Sequence, residues 1–173
     1  HGPIGRSIAV SLDMLGLQVH KLRHRPQPGD AALGIHAYAA LHQLARQAQW
    51  LVIACPLTQA TRHLVDAQVL AAMPRGAFIV NVGRGGVVDE QALLDALASG
   101  QIAGAHLDVF EQEPLAPDSP FWDLPNVLVS PHNAGSSQQY GERCVQIFID
   151  NLGRHTRGEP LLNEVPPGLA LAD

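Results

Sequence analysis

The sequence predicts an α/β fold in which a doubly wound parallel sheet carries helices on its faces. Apolar segments with strand character alternate with segments of helical periodicity along the chain, and this order is typical of βαβ units. Strand segments such as 50–55 and 77–82 are continuous apolar runs, as expected for parallel strands covered on both sides. Ligands of such sheets bind at the carboxyl ends of the strands.

The first half of the chain contains two helices and two strands. Apolar residues recur at helical spacing from Pro3, and Gly16 stands where a C-terminal cap belongs, which predicts a helix of about four turns. Residues 17–22 indicate a short strand that ends in a basic cluster. A helix is expected over 41–48, before the strand at 50–55.

The second half repeats the alternation. Asp66 is predicted to cap a helix that runs through Met73, and Asp89 a helix that Gly100 ends. Strands follow at 102–109 and 126–130. A final amphipathic helix is expected at about 137–152. Packing on the core of its own chain is the more common arrangement of such a helix, and a contribution to a dimer is the alternative. Residues 161–173 have the proline-rich composition of a tail.

Composition excludes several classes of protein. The 173 residues are 46% hydrophobic and 16% charged, enough to bury one sizeable core, and no apolar run is long enough to span a membrane. A net charge of −5 gives no electrostatic reason to bind nucleic acid or an anionic membrane. Two cysteines, Cys55 and Cys144, predict buried thiols in a reducing cytoplasm and no metal site.

The chain opens on a segment with the pattern of a nucleotide-binding glycine turn that lacks its first glycine. Gly2 would let the backbone approach a pyrophosphate, and Gly5 would let the helix pack on its strand. A plain helix-start turn is the alternative interpretation. Because no strand can precede His1, we expect a fragment of a longer protein or a fold that has lost one element.

Three strand ends carry residues suited to chemistry. Arg84 follows one strand between glycines, where a guanidinium can hold a carboxylate by two parallel hydrogen bonds. Asp108 and Glu113 follow the next strand, and His132 follows the last one. Each has an ordinary alternative, as a solvated loop residue, a turn, or a surface histidine. Their coincidence at the ligand edge of one sheet favours a site.

The segments 55–61, 80–89, 104–114 and 130–135 resemble, in order and spacing, the signature segments of the D-isomer-specific 2-hydroxyacid dehydrogenases. The resemblance covers nearly the whole chain. It implies a Rossmann-type NAD(P)-binding domain over 1–152 without its first strand, and a remnant of the substrate domain over 153–173. Loss of that central strand would leave two sheet pieces with unpaired inner edges.

The resemblance also implies site residues and an activity, hydride transfer between NAD(P)H and a small 2-oxo acid. Arg84 would hold the substrate carboxylate, Glu113 would pair with the acid and base His132, and Asp108 would hold the nicotinamide carboxamide. The residues expected at the cofactor are Gly2, Pro3, Ile4, Gly5, Arg23, His24, Arg25, Cys55, Pro56, Thr61, Val82, Gly83, Arg84, Asp108, His132 and Gly135.

The chemistry of a 2-oxo acid gives these roles a physical reason. Negative charge develops on the carbonyl oxygen during reduction, so a proton donor and a positive charge must lie close to it. A carboxylate beside a histidine orients the ring and favours its protonated form. The pair Glu113 and His132 therefore suits general acid catalysis in one direction and base catalysis in the other.

The basic cluster predicts the cofactor. NAD-specific sites place an acidic residue about twenty positions after the glycine turn, where it binds the adenosine ribose. This chain has Arg23, His24 and Arg25 there, and guanidinium groups favour a 2′-phosphate. NADP is therefore expected in preference to NAD, and a solvated basic loop is the alternative.

Other functions stay open at this point. Some proteins that resemble the family are transcriptional corepressors, so a dinucleotide-sensing regulator is one alternative, and an inactive isolated fragment is another. Hydroxypyruvate, glyoxylate and phosphorylated hydroxy acids are all possible substrates. The resemblance implies a homodimer.

Overall fold

A computed structural model of the chain describes residues 2–164. The helices are α1 (Pro3–Met14), α2 (Leu41–Ala45), α3 (Ala67–Ala72), α4 (Glu90–Ala98) and α5 (Tyr140–Thr156). The strands are β1 (Lys21–Arg23), β2 (Ile35–Ala37), β3 (Trp50–Ile53), β4 (Ala77–Asn81), β5 (Ile102–Leu107) and β6 (Val127–Val129).

The described strands form two separate parallel sheets, so the predicted parallel α/β fold is confirmed. β1 pairs with β2, while β3, β4, β5 and β6 lie side by side in chain order. Within residues 2–164, no described strand joins the sheet of β1 and β2 to the sheet of β3 to β6. The prediction of two sheet pieces is therefore also confirmed.

The first helix ends as predicted, but the strand after it was placed too early. Gly16 has a φ of +79°, and the N–H groups of Gly16 and Leu17 bond back to Asp13 and Leu12, in a Schellman motif. Leu17 is thus still part of the helix end, and β1 begins only at Lys21. The strand β2, which has three residues and one buried side chain, was not predicted.

Helices α3 and α4 form where capping residues predicted them. The carboxylate of Asp66 accepts hydrogen bonds from the N–H groups of Gln68 and Val69, and Asp89 caps α4 in the same way. The helices α2, α3 and α4 pack with β3, β4 and β5 around one core. Its fully buried side chains include Leu70, Ile79, Leu93, Ile102, Val87 and Phe121.

The last helix differs from its prediction. α5 begins three residues later and ends four residues later than expected, and none of its residues is buried. The expectation that it packs on the core of this chain is therefore wrong for the described residues. Its exposed large apolar side chains are Tyr140, Val145, Ile147, Phe148, Ile149 and Leu152.

The segment after α5 is described as far as residue 164. Hydrogen bonds join the side chain of Asn151 to the backbone N–H and carbonyl of Leu162, so the start of the expected tail returns along α5. Residues 165–173 of the predicted substrate-domain remnant lie outside the described residues, and the division at 152/153 stays a prediction. No helix among residues 2–164 is long and apolar enough to cross a membrane.

Candidate active site

The candidate site lies at the carboxyl edge of the four-stranded sheet. Because β3 to β6 are parallel, the residues that follow each strand meet at this one edge. Cys55 follows β3, Arg84 follows β4, Asp108 follows β5 and His132 follows β6. The structure thus places the predicted residues of four separate segments along the same side of the sheet.

Glu113 and His132 are in direct contact, as the sequence analysis expected. Oε2 of Glu113 lies 2.6 Å from Nδ1 of His132, and Oε1 accepts a hydrogen bond from the N–H of Phe110. The side chains are 36% and 46% exposed, so a small molecule can reach them. Since the carboxylate holds Nδ1, Nε2 is the ring nitrogen that is left to exchange a proton with a ligand.

The charge state of Glu113 follows from its contacts. Burial by itself raises the pKa of this carboxyl, but the hydrogen bonds from His132 and the Phe110 N–H, with the charges of His132 and Arg84, outweigh it and hold the pKa below its usual value. The carboxylate is thus ionised at neutral pH, and its negative charge is lost only as the pH falls through that lowered pKa.

Arg84 is exposed on a turn that a buried amide shapes. The Asn81 side chain accepts a hydrogen bond from the N–H of Gly83 and donates one to the carbonyl of Arg84. Nη1 of Arg84 donates to the Gly83 carbonyl at 2.7 Å, while its charge acts on Glu113. This role of Asn81 was not predicted, although a polar residue at the end of an apolar strand is a signal for such a contact.

Two glycines of this turn are required by close backbone approach. A Cβ atom on Gly83 would lie 2.7 Å from the carbonyl oxygen of Cys55, at the end of the neighbouring strand. A Cβ atom on Gly85 would lie 1.8 Å from the carbonyl carbon of Phe110. These glycines bring the ends of β3, β4 and β5 close together, so the residues around Arg84, Cys55 and Glu113 share one small region.

Asp108 is buried beneath the His132 segment, with 1% of its surface exposed. It accepts hydrogen bonds from Ser130 Oγ and from the N–H groups of Asn133 and Ala134. Burial would raise its pKa, but these three bonds and the charge of His132 hold the pKa below its usual value. Asp108 is therefore an ionised carboxylate at neutral pH.

The segment after β3 is an ordered loop. Thr61 is 2% exposed, and its hydroxyl donates to the Pro56 carbonyl and accepts from the Thr58 N–H, so it fixes the shape of the loop. Burial raises the pKa of the Cys55 thiol, which is therefore protonated at neutral pH. Cys144, which was expected to be buried, is exposed on α5.

The start of α1 has the features of an anion site. Gly2 is its N-cap, no side chain caps it, and no acidic residue lies in its first turn. The N–H groups of Ile4 and Gly5 thus have no acceptor within the helix. No described atom lies within 4 Å of a Cβ built on Gly2 or Gly5, so the close packing expected at Gly5 is not present among the described residues.

The end of β1 carries the basic cluster, and a buried acid accompanies it. Both carboxylate oxygens of Asp30 lie 3.2 Å from Nη1 of Arg23, and one also accepts a hydrogen bond from the Gln27 N–H. The Gln27 N–H and the Arg23 guanidinium, against some desolvation, hold the pKa of Asp30 below its usual value. The sequence analysis missed Asp30, whose partner is seven positions away.

The other two basic residues of the cluster face solvent. The ring of His24 lies 5.8 Å from that of Tyr38, a residue that directly follows β2 and that the sequence analysis also missed. Arg25 is exposed and has no hydrogen bond or ion pair with another described residue. Val82 is half-buried in the Arg84 turn, and Gly135 is exposed after His132.

A second histidine–glutamate pair lies on the same loop as Glu113. Nε2 of His63 is 2.9 Å from Oε1 of Glu111, and both side chains are as exposed as those of the first pair. The backbone N–H of Glu111 bonds to the carboxylate of Glu90. Within residues 2–164, no group of three or more histidine, cysteine or acidic side chains is arranged to hold a metal ion.

Several relatives of the chain have the names of glyoxylate or glyoxylate/hydroxypyruvate reductases. The chain is 37% identical over 169 residues to the glyoxylate reductase of Korarchaeum cryptofilum, a match that covers 97% of the chain and 49% of the relative. It is 37% identical over 164 residues to the glyoxylate/hydroxypyruvate reductase A HPR2 of Arabidopsis thaliana, with 95% and 51% covered. The chain thus spans about half the length of these relatives.

Two solved structures of similar shape contain NADPH or NADP. A D-isomer specific 2-hydroxyacid dehydrogenase from Xanthobacter autotrophicus Py2, in complex with NADPH and MES, superposes with a TM-score of 0.86 at 40% identity, over 96% of this chain and 68% of that one. The NADPH-dependent glyoxylate/hydroxypyruvate reductase SmGhrA from Sinorhizobium meliloti, in complex with NADP and sulfate, gives 0.84 at 34% identity, with 95% and 52% covered.

The family assignment follows from these matches. Residues 1–134 match the family described as D-isomer specific 2-hydroxyacid dehydrogenase, NAD binding domain. This segment contains every predicted site residue except Gly135, and it ends two residues after His132. The chain therefore belongs to the D-isomer specific 2-hydroxyacid dehydrogenase family, whose NAD-binding domain it contains.

Proposed function

We propose that the protein containing this chain reduces a small 2-oxo acid with NAD(P)H, and that His132 supplies the proton. The observation that carries this proposal is the contact of 2.6 Å between Glu113 and His132, at the ligand edge of the sheet and within reach of the charge of Arg84. A donor of protons and a positive charge are what a carbonyl oxygen needs as it becomes negative.

Each residue has a defined part in this proposal. Glu113 keeps the His132 ring oriented through Nδ1, so Nε2 faces the substrate and donates its proton to the carbonyl oxygen. Arg84, at the end of β4, holds the substrate carboxylate by paired hydrogen bonds. In the reverse direction, Nε2 accepts the proton of the hydroxyl group.

The residues of the chain also fit a dinucleotide. The uncapped first turn of α1 presents N–H groups to a pyrophosphate. Gly83 and Gly85 put no side chains on the turn that follows β4, where they approach neighbouring backbone closely. When bound, the nicotinamide group supplies the hydride. We propose glyoxylate or hydroxypyruvate as the substrate, because these acids appear in the names of the relatives.

Replacing Arg84 by lysine tests the proposed carboxylate contact in the full-length enzyme. An ammonium group cannot form the paired planar contact, so kcat/KM for glyoxylate and hydroxypyruvate should fall. A charge-assisted hydrogen bond contributes about 1.5–3 kcal/mol, which corresponds to a fall of about 10- to 100-fold. Arg75→Lys is the matched control, because Arg75 precedes β4 and lies at the opposite edge of the sheet. Equal losses in both variants, or none in either, would contradict the proposal.

The preference for NADP is a further part of the proposal. Asp30 neutralises Arg23 at the end of β1, so Arg25 and His24 are the basic residues that face solvent there. A 2′-phosphate would be met by Arg25, while Arg23 keeps the loop in place. The name of the NADPH-dependent relative from Sinorhizobium meliloti supports the proposed preference for NADP.

Steady-state kinetics with both cofactors at one ionic strength test the preference. We expect kcat/KM to be about 10- to 100-fold higher with NADPH than with NADH, as one charge-assisted contact predicts. Arg25→Ala should reduce that ratio through KM. The control Arg46→Ala, on the exposed residue that follows α2, should leave it unchanged. A wild-type enzyme that uses NADH equally well would show that the basic cluster serves no cofactor.

A further inference from the structure

The turn that carries His132 has almost no packing of its own. Residues 131–140 are all exposed, and His132 has a φ of +52°, in the left-handed region that residues with side chains rarely adopt. An exposed turn of this kind would ordinarily move among several conformations. The position of Nε2 during proton transfer therefore depends on a small number of polar contacts.

We propose that Asp108 is a positioning residue that holds this turn, and with it the ring of His132, in the orientation needed for proton transfer. The inference rests on the proposed function, because it concerns the same histidine. Asp108 is buried at the carboxyl end of β5, and the turn that carries His132 lies over its carboxylate. The rigid sheet thereby fixes the exposed turn.

The hydrogen bonds of Asp108 lie on both sides of His132. Ser130 Oγ donates to Oδ1 at 2.6 Å, two residues before the histidine. After the histidine, the N–H of Asn133 donates to Oδ1 at 3.0 Å and that of Ala134 donates to Oδ2 at 2.8 Å. The turn is thus held at both ends by one ionised group, and bonds to a charged acceptor are stronger than neutral ones.

A histidine on β5, the strand that Asp108 follows, supports the same arrangement. Nε2 of His106, on β5, lies 3.2 Å from Ser130 Oγ. Because the hydroxyl proton of Ser130 is donated to Asp108, its oxygen accepts from His106. Three residues therefore form a chain of bonds that ends on the Asp108 carboxylate.

A count of lone pairs relates this role to the cofactor role that the resemblance implies. A carboxylate has about four acceptor positions, and the turn occupies three of those on Asp108. One position on Oδ2 is left for a nicotinamide amide. In Asp108→Asn, the amide group cannot accept on its nitrogen side, so an N–H donor of the turn would face another donor.

The test compares Asp108→Asn with wild type in the full-length enzyme, using two kinds of measurement. Hydrogen exchange of the Asn133 and Ala134 amides reports on the turn without any need for turnover, and both should lose protection. Since a small misplacement of a catalytic group costs about 10²-fold, kcat at saturating cofactor should fall by that factor, and this fall is separate from any loss of NADP affinity at the remaining Oδ2 position. Ser130→Ala removes one of the three hydrogen bonds to Asp108. It should therefore cause a smaller loss of amide protection and a smaller fall in kcat.

Two outcomes would overturn the inference. Protected amides in Asp108→Asn would show that other contacts hold the turn. A weaker cofactor affinity with wild-type kcat would show that Asp108 acts on the cofactor. If Asp108→Asn does not fold, the same split between kcat and affinity in Ser130→Ala decides. Absence of 2-oxo acid reduction in the wild type would refute the proposed function alone, because the exchange measurement does not depend on it.

Discussion

His132→Gln is expected to lower turnover of the full-length enzyme by about 10²- to 10⁴-fold, the usual contribution of a general acid. Glutamine can keep a hydrogen bond to Glu113 but cannot deliver a proton to the carbonyl oxygen. Cofactor affinity should stay near that of the wild type, since the ring acts on the substrate. Steady-state turnover and a fluorescence titration with NADPH measure the two quantities separately.

The second histidine–glutamate pair provides a matched control. His63 is exposed, has a positive φ of 49°, and contacts Glu111 on the loop that also carries Glu113. It follows β3 by ten positions, whereas His132 follows β6 by three and lies at the ligand edge. His63→Gln should therefore leave turnover close to the wild-type value. Equal effects of the two substitutions would remove His132 from the proposed mechanism.

Gly85→Ala is expected to destabilise the protein by about 3 kcal/mol or more, at the upper end of the cost of overpacking. The φ of Gly85 is not positive, so the backbone conformation itself would accept alanine. The new methyl group would lie 1.8 Å from the carbonyl carbon and 2.1 Å from the oxygen of Phe110. Backbone atoms cannot move aside as a flexible side chain can, so β4 and β5 must separate at the site.

Chemical denaturation of the full-length enzyme measures this effect, and Gly141→Ala is the control. Gly141 lies in α5 with no described atom within 4 Å of its Cβ position. Alanine favours helix, so this substitution should raise the free energy of unfolding, by up to about 1 kcal/mol. An unfolding free energy of Gly85→Ala equal to that of wild type would mean that the strand ends do not approach closely in solution.

The fold was predictable to the extent that it depends on local signals. Asp66 and Asp89 cap helices from positions fixed by their own neighbours, and Gly16 and Gly100 end helices through positive φ angles. β2 escaped prediction because three residues with one buried side chain give no periodic pattern. Its existence depends on pairing with β1, which is a tertiary contact.

In the candidate site, too, some contacts were predicted from the sequence and others were not. The contact between Glu113 and His132 was expected, because the resemblance named the pair and strand order brings their segments to one edge. Asp30, Asn81 and the pair of His63 with Glu111 were not expected. Their partners are either distant in sequence or backbone groups, and no residue pattern marks such contacts.

Signals in the amino-acid sequence were sufficient to predict the alternation of helices and strands, the ends of the capped helices, the family, and the residues that follow the strands at the ligand edge. These properties depend on short segments, whose periodicity and turn chemistry are local. Three features could be seen in the folded structure alone: Asp108 bonds to the His132 turn, Gly85 lies against Phe110, and α5 is exposed. The first two depend on atoms that the parallel sheet brings together from segments more than twenty residues apart. The exposure of α5 depends on which elements pack against the helix after folding.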